Sequence, residues 1–122
     1  MIRSMLAVMI LSLCLPHVVW CGEADVEQVT VTNTGDRTFR FDVTVRHDDT
    51  GWDHYADKWE VLAPHGEILA TRTLLHPHVD EQPFTRSLTG IRIPASVVEV
   101  IVRAHDSVHE YGGKTMTVVV PQ

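Results

Sequence analysis

The sequence predicts an all-β domain, an immunoglobulin-like or fibronectin-like sandwich of about seven antiparallel strands. Apolar residues alternate with polar ones at a period of two, turn residues separate the alternating runs, and no segment keeps a helical period. Regularly spaced short strands of this kind are typical of a sandwich. A chain of 122 residues is long enough for one such domain with a modest core.

The clearest predicted strand covers residues 38–47, where aromatic and valine side chains alternate with charged and hydroxyl ones. This pattern predicts a half-buried strand, and its parity places His47 at the mouth of the core. Trp59, between two charged residues, is predicted to fill the core between the sheets. The other predicted strands are 29–32, 58–63, 67–75, 84–92, 97–104 and 114–120, with turns at 33–36, 64–66 and 94–96.

Residues 1–24 are predicted to be a secretory signal peptide. Arg3 precedes an apolar run over residues 5–15, and the small residues Gly22 and Ala24 offer a cleavage site before Asp25. The mature domain is therefore predicted to cover residues 25–122 and to be periplasmic or secreted. A transmembrane anchor is the first alternative, but it needs roughly 18–20 apolar residues, and this run is shorter.

A lipid anchor on Cys21 is the second alternative, although bulky Trp20 fits poorly where such processing prefers a small residue. Cys14 and Cys21 are the only cysteines, and both lie inside the predicted signal peptide. A mature domain without cysteine has no disulfide, no thiolate metal ligand and no cysteine nucleophile.

The histidines are the unusual feature of the composition, with eight in the chain. Because consecutive antiparallel strands place alternate loops at one end, segments 47–57, 76–83 and 105–113 are predicted to meet there. We call these segments the top loops. They contain eight acidic residues and no lysine or arginine, so a bound cation would relieve their mutual repulsion. The predicted metal ligands are six histidines in these loops: His47, His54, His76, His78, His105 and His109.

The spacing of these histidines fits metal ligation. His76 and His78 flank a stiff proline, and extended backbone directs both rings to one side. His105 and His109 are four residues apart, a ligand spacing if the segment forms a helical turn. Imidazole with carboxylate suits Zn(II), Cu(II), Fe(II) or Ni(II), and copper or zinc is favoured.

Several residues of the top loops also have possible structural roles that need no bound metal. Segment 48–51 has turn chemistry, and Asp106 could cap the turn that carries His109. The paired glycines at 112–113 could permit the return into the last strand. His65, alone at the opposite end, is predicted to be a surface residue. The aromatic residues at the top end could form the wall of a pocket or pack the loops down: Trp52, Tyr55 and Tyr111.

Two resemblances are carried by short motifs. LLHPHVDEQPFTRSL and VRAHDSVHEYGGK resemble segments of small secreted bacterial β-sandwich proteins, a likeness that implies no activity. HDDTGWDHYADKWEVL and the second motif are more weakly similar to superoxide reductase domains, immunoglobulin-like sandwiches whose iron is held by loop histidines and one cysteine. Asp106 or His105 stands at the cysteine position. The resemblance therefore implies the architecture and not the redox chemistry.

The sequence favours an exported protein that binds a divalent transition metal, for binding, buffering or delivery rather than catalysis. One alternative is an interaction module that docks a protein or glycan through acidic and aromatic loops, with histidines as a pH-sensitive element. A mononuclear metalloenzyme is the other, because three histidines and an open position activate water. A formal net charge of −6 disfavours nucleic acid as a partner, and no membrane contact is expected after signal cleavage.

Overall fold

The computed structural model describes residues 22–122, so most of the predicted signal peptide lies outside the described residues. The described part of the chain forms seven strands and no helix, and every strand pair is antiparallel. The predicted fold class is therefore confirmed. The strands are β1 (Asp25–Gly35), β2 (Thr38–Arg46), β3 (Ala56–Leu62), β4 (Ile68–Thr73), β5 (Phe84–Arg92), β6 (Glu99–Asp106) and β7 (Met116–Val119).

The strands form two sheets, one ordered β1-β2-β5 and the other β4-β3-β6-β7. The fourth strand pairs with the third, whereas a constant-type immunoglobulin domain places it with the first two. The hairpin between β1 and β2 turns at Asp36 and Arg37, whose φ angles of 53° and 60° are both left-handed. Two consecutive left-handed residues match the strand twist and give a tight two-residue turn.

The core lies between the two sheets and is built from alternate residues of each strand. In β2 the side chains of Phe39, Phe41, Val43 and Val45 are fully buried, as their alternation predicts. Trp59 of β3 is also fully buried, which confirms its predicted place in the core.

Two strands extend beyond their predicted bounds. β1 begins at Asp25 rather than at residue 29, because its first residues pair with the end of β2 on either side of a bulge between Val26 and Gln28. The bulge interrupts the alternation that identifies a strand in the sequence. β6 continues to Asp106, so His105 belongs to a strand and not to a loop.

The strand directions bring several connections to one end of the sandwich. β2, β4 and β6 finish there, and β3, β5 and β7 begin there. We call this the top end. The start of β1 lies there too, because Asp25 pairs with Arg46 at the finish of β2. No helical segment in residues 22–122 has the length and apolarity needed to cross a membrane.

Candidate metal centre

Two histidines and one aspartate meet at the top end. One ligand atom each from His47, His54 and Asp106 lies within 4.8 Å of the others, the one such group of three found in residues 22–122. The Nε2 atoms of the two histidines are 3.2 Å apart. Nε2 of His54 lies 3.4 Å from Oδ1 of Asp106, and Nε2 of His47 lies 3.8 Å from Oδ2.

His47 is held in one orientation by Asp49. It follows the last residue of β2 on the inward-facing side and is 2% exposed, so its predicted position at the mouth of the core is confirmed. Nδ1 donates a hydrogen bond to Oδ1 of Asp49, which leaves Nε2 facing His54. Histidines that bind metals commonly have this second-shell carboxylate on the other ring nitrogen.

Asp49 is itself fixed by backbone donors. Its Oδ1 accepts the N–H of Ala56 at 2.9 Å, and its Oδ2 accepts the N–H of His78 at 2.7 Å. The side chain is buried, so these bonds compensate for the lost hydration of the carboxylate. Asp49 therefore joins the loop after β2, the first residue of β3 and the loop after β4.

A tight turn presents His54 to the cluster. The N–H of His54 donates to the carbonyl of Gly51 at 3.2 Å, and the N–H of Thr50 donates to the carbonyl of His54 at 3.0 Å. The His54 ring meets the His47 ring edge-on, with centroids 4.7 Å apart. The side chain remains 21% exposed, so the cluster is open to solvent on this side.

Asp106 ends β6 and is fully buried. Its Oδ1 accepts the N–H groups of Val108 at 2.8 Å and His109 at 2.6 Å, which confirms that it caps the turn carrying His109. Burial alone would raise the pKa of Asp106. The N–H groups of His109 and Val108 and the nearby His47 outweigh burial, so the pKa lies below its ordinary value and the carboxylate stays ionised.

His109 adds a further ligand atom at the edge of the cluster. Its Nδ1 lies 3.3 Å from Oδ1 of Asp106, and its ring centroid is 4.9 Å from that of His54. Nδ1 of His109 and Oδ2 of Asp106 are both buried and have no hydrogen-bond partner within residues 22–122. Such orphaned atoms are uncommon in folded proteins, and these two lie beside the group of His47, His54 and Asp106.

The spacing of the cluster suits a small tetrahedral ion. Metal bonds of 2.0–2.2 Å separate neighbouring tetrahedral ligands by about 3.3–3.6 Å. The 3.2 Å between the two Nε2 atoms and the 3.4 Å from Nε2 of His54 to Oδ1 of Asp106 lie close to this range, and Nε2 of His47 is 3.8 Å from the other carboxylate oxygen, Oδ2. Two imidazoles and a carboxylate can therefore approach one ion after small side-chain shifts.

Gly22, the first described residue, covers the cluster. Its carbonyl oxygen lies 2.7 Å from Nε2 of His47. A Cβ on Gly22 would lie 2.9 Å from Cε1 of His54 and 3.2 Å from Cε1 of His109, and its φ of +79° also favours glycine. The Gly22 carbonyl therefore occupies a position close to that of an ion bound to His47.

The other predicted ligands have different surroundings. His76 and His78 lie in the loop after β4 with ring centroids 4.6 Å apart, and His78 stacks on Phe84. His105 lies in β6, where its Nδ1 bonds to Asp57. None of these three belongs to the group of His47, His54 and Asp106, and their role as metal ligands remains a prediction.

Histidine spacing identified neither Asp106, which belongs to the cluster, nor Asp49, which orients His47. A signal for Asp106 is present in the sequence, because it continues the inward parity of Val100, Val102 and Ala104. A carboxylate in that register at the end of a strand must be buried, and burial requires partners. Asp49 looks like an ordinary turn residue, and its contacts with Ala56 and His78 depend on the path of the loop.

No family model matches the chain, and no solved structure matches it. A protein of Halomicrobium mukohataei with the name "Putative lipoprotein" is 48% identical to it over 96 residues. The match covers 79% of this chain and 47% of that protein. The chain therefore spans about half the length of this relative.

Proposed function

We propose that the chain is an exported protein that binds one divalent transition metal ion through His47, His54 and Asp106, with His109 as a fourth ligand. The proposal rests on the 3.2 Å separation of two Nε2 atoms beside a buried carboxylate. Because Asp49 accepts the Nδ1–H of His47 in a hydrogen bond, Nε2 of the neutral ring would carry the lone pair that an ion needs, once the Gly22 carbonyl 2.7 Å away moves aside.

The donor set narrows the class of metal. Two imidazoles with a carboxylate suit Zn(II), Cu(II), Fe(II) or Ni(II), whereas Ca(II) prefers oxygen ligands alone. We favour zinc or copper. On the resemblance to superoxide reductase domains, Asp106 or His105 stands where that family has its cysteine, so we propose metal binding or delivery rather than redox turnover.

The residue at which the processed chain begins matters for the proposed metal site. Cleavage before Asp25 would remove Gly22, which contacts the cluster, and Ala24, which is buried in the core. We propose that the processed chain keeps these residues and carries a lipid on Cys21, in line with the name of the relative. The intact mass of exported protein tests this proposal. A chain that begins at Cys21 with added lipid mass supports it, and an unmodified chain that begins at Asp25 contradicts it.

Metal titration tests the proposed function. Demetallated protein, titrated with Zn(II) and Cu(II) in a calorimeter, is expected to bind about one equivalent of either ion. His54→Ala removes a ligand that is only partly buried, so the fold should survive. We expect this change to weaken binding beyond the about 10–100-fold that outer-shell changes cause.

His65→Ala is the matched control, because His65 lies in an exposed turn where its Nε2 is 3.2 Å from Glu67. This variant should bind metal as the unaltered protein does. The double variant His76→Ala/His78→Ala should also keep the single equivalent. Undiminished affinity in His54→Ala would contradict the proposal.

A second candidate function, docking of a protein or glycan, is favoured by one observation. Trp52 is 67% exposed at the tip of the His54 turn and contacts Tyr55 at a ring distance of 5.6 Å. Exposed tryptophan is common at interaction sites. Trp52→Ala would abolish partner binding under this second function and leave metal titration unchanged.

A further inference from the structure

The top end also contains a cavity, which lies between the two sheets. The cavity, of about 80 Å³, opens between the edge strands β4 and β5. It is lined by Arg72, Leu74, Leu75, His76, His78 and Arg86. The top loops contain no basic residue, so both guanidinium groups come from the strands below them.

Arg72 is oriented by the backbone rather than by a carboxylate. Its Nε donates to the carbonyl of Ser87 at 2.9 Å, and its Nη1 donates to the carbonyl of Thr73. No carboxylate of the described residues lies within ion-pair distance of Arg72. Its positive charge is therefore uncompensated at the wall of the cavity.

Arg86 and His78 form a pair that disfavours a metal ion in this cavity. Nη2 of Arg86 donates to Nε2 of His78 at 2.9 Å, so the ring lone pair is already used and a positive charge lies beside it. Desolvation, followed by the charges of Arg86 and His76, lowers the pKa of His78. Glu81 lies 3.3 Å from Nη1 of Arg86 and compensates one of the two arginine charges.

We propose that this cavity binds a small oxyanion, a carboxylate or a phosphate group, between Arg72 and Arg86. Nη2 of Arg72 has no hydrogen-bond partner among the described residues, and a guanidinium N–H matches the oxygens of both anions. The volume corresponds to about three water molecules, which limits the ligand to a small group. Leu74 and Leu75 provide an apolar wall for the rest of an organic acid. The inference is independent of the metal site.

Anion titration of the ¹⁵N-labelled protein tests the proposal. Sodium phosphate and sodium acetate are added in separate arms, and a sodium chloride arm at equal ionic strength reports general salt effects. We expect saturable amide shifts confined to residues that line the cavity. Saturation by phosphate alone or by acetate alone identifies the preferred anion, and either result supports the site.

Variants then assign the binding groups. Arg72→Gln should lower the affinity for the anion that saturates the site about tenfold or more, because a charge-assisted hydrogen bond is lost. Arg72→Lys keeps the charge without the paired donors and should give an intermediate loss. Arg92→Gln is the matched control, because this exposed β5 arginine pairs with Thr38 at the opposite end of the sandwich.

Several outcomes would contradict the proposal that the cavity binds an anion. One is a chloride arm that reproduces the shifts, and another is an equal loss of affinity in Arg92→Gln. Shifts without saturation in the unaltered protein would also overturn it, whether or not the variants fold. A metal equivalent that disappears in His76→Ala/His78→Ala would show that the cavity holds a cation instead.

Discussion

Asp49 accepts a hydrogen bond from Nδ1 of His47 and thereby directs Nε2 of that ring toward His54, 3.2 Å away. The same carboxylate accepts the N–H groups of Ala56 and His78, so its position is fixed from three sides. Asp49 is thus a positioning residue for the proposed metal site and binds no ion itself.

Asp49→Asn should weaken metal binding and also lower the free energy of unfolding. The amide removes the negative charge that holds the His47 ring, and its NH2 group leaves one of the buried N–H donors to Asp49 without an acceptor, which costs about 1–3 kcal/mol. Loss of such an outer-shell carboxylate typically lowers metal affinity about 10–100-fold. Calorimetric titration measures the change, and Asp48→Asn, at the exposed neighbouring position, should leave affinity unaltered. Equal affinity in both variants would show that Asp49 does not position His47.

Tyr111→Phe should destabilise the fold. The Tyr111 hydroxyl donates to Oε1 of Glu60, which is 2% exposed, and burial and then this hydrogen bond raise the pKa of the tyrosine. The substitution leaves a buried carboxylate with Arg103 as its remaining side-chain donor. We expect a loss of about 1–3 kcal/mol in the free energy of unfolding, measured with urea.

Tyr55→Phe is the control for Tyr111→Phe. Tyr55 contacts Trp52 through its ring and Ser107 through its backbone, and the substitution preserves both contacts. Its effect should stay within about 0.5 kcal/mol. Similar losses in the two variants would mean that the bond to Glu60 contributes little.

His78 should make the fold less stable in acid. Its pKa in the folded state is lowered, first by desolvation and then by Arg86 and His76. The ring therefore binds a proton more readily in the unfolded chain. Its contribution is complete above the unfolded pKa of about 6.5 and is lost as the pH falls through that value toward the folded pKa.

His78→Gln should therefore reduce the difference between the free energies of unfolding at neutral and mildly acidic pH. His65→Gln, a change at an exposed turn, should keep the pH dependence of the unaltered protein. Urea titrations at two pH values measure both. An unchanged slope in His78→Gln would place the acid sensitivity elsewhere in the fold.

Gly113→Ala should displace the N-terminal segment. A Cβ at this position would lie 2.0 Å from the backbone carbonyl oxygen of Ala24, a residue buried in the core, and 2.8 Å from Oδ1 of Asp25. Overpacking of this kind costs about 1–3 kcal/mol. Lys114→Ala changes only the exposed side chain of the next residue and should be near neutral in the same urea assay. A near-neutral Gly113→Ala would show that residues 24–25 are held loosely.

The sequence predicted a strand well where one face of that strand is buried in the core and the other face is exposed to solvent. In β2, burial follows every second residue, and pattern and structure agree. The same reasoning misses the start of β1, where a bulge interrupts the pairing with β2. Strand alternation is a property of regular pairing, and a bulge removes it.

The site was only partly predictable. Strand parity placed His47 at the core mouth and brought the segments that carry His54 and His109 to the same end of the sandwich. It could not show that Asp106 completes the cluster while His105 pairs with Asp57. Neighbouring residues of a strand face opposite sides, so a shift of one position in the strand end decides which of them joins the cluster. The other contacts of the site depend on the paths of the loops, and no periodic pattern in the sequence predicts a loop path.

The position of Gly22 affects how fast an ion could enter and leave the proposed metal site. Its carbonyl lies against Nε2 of His47, so an ion that enters the proposed site from this side must first move residue 22 aside. If the proposed site binds metal, we expect the rates of loading and release to depend on how often this segment opens, and not on diffusion alone. A site of moderate affinity can in this way retain its ion for a long time. Any partner that displaces Gly22 would accelerate the exchange.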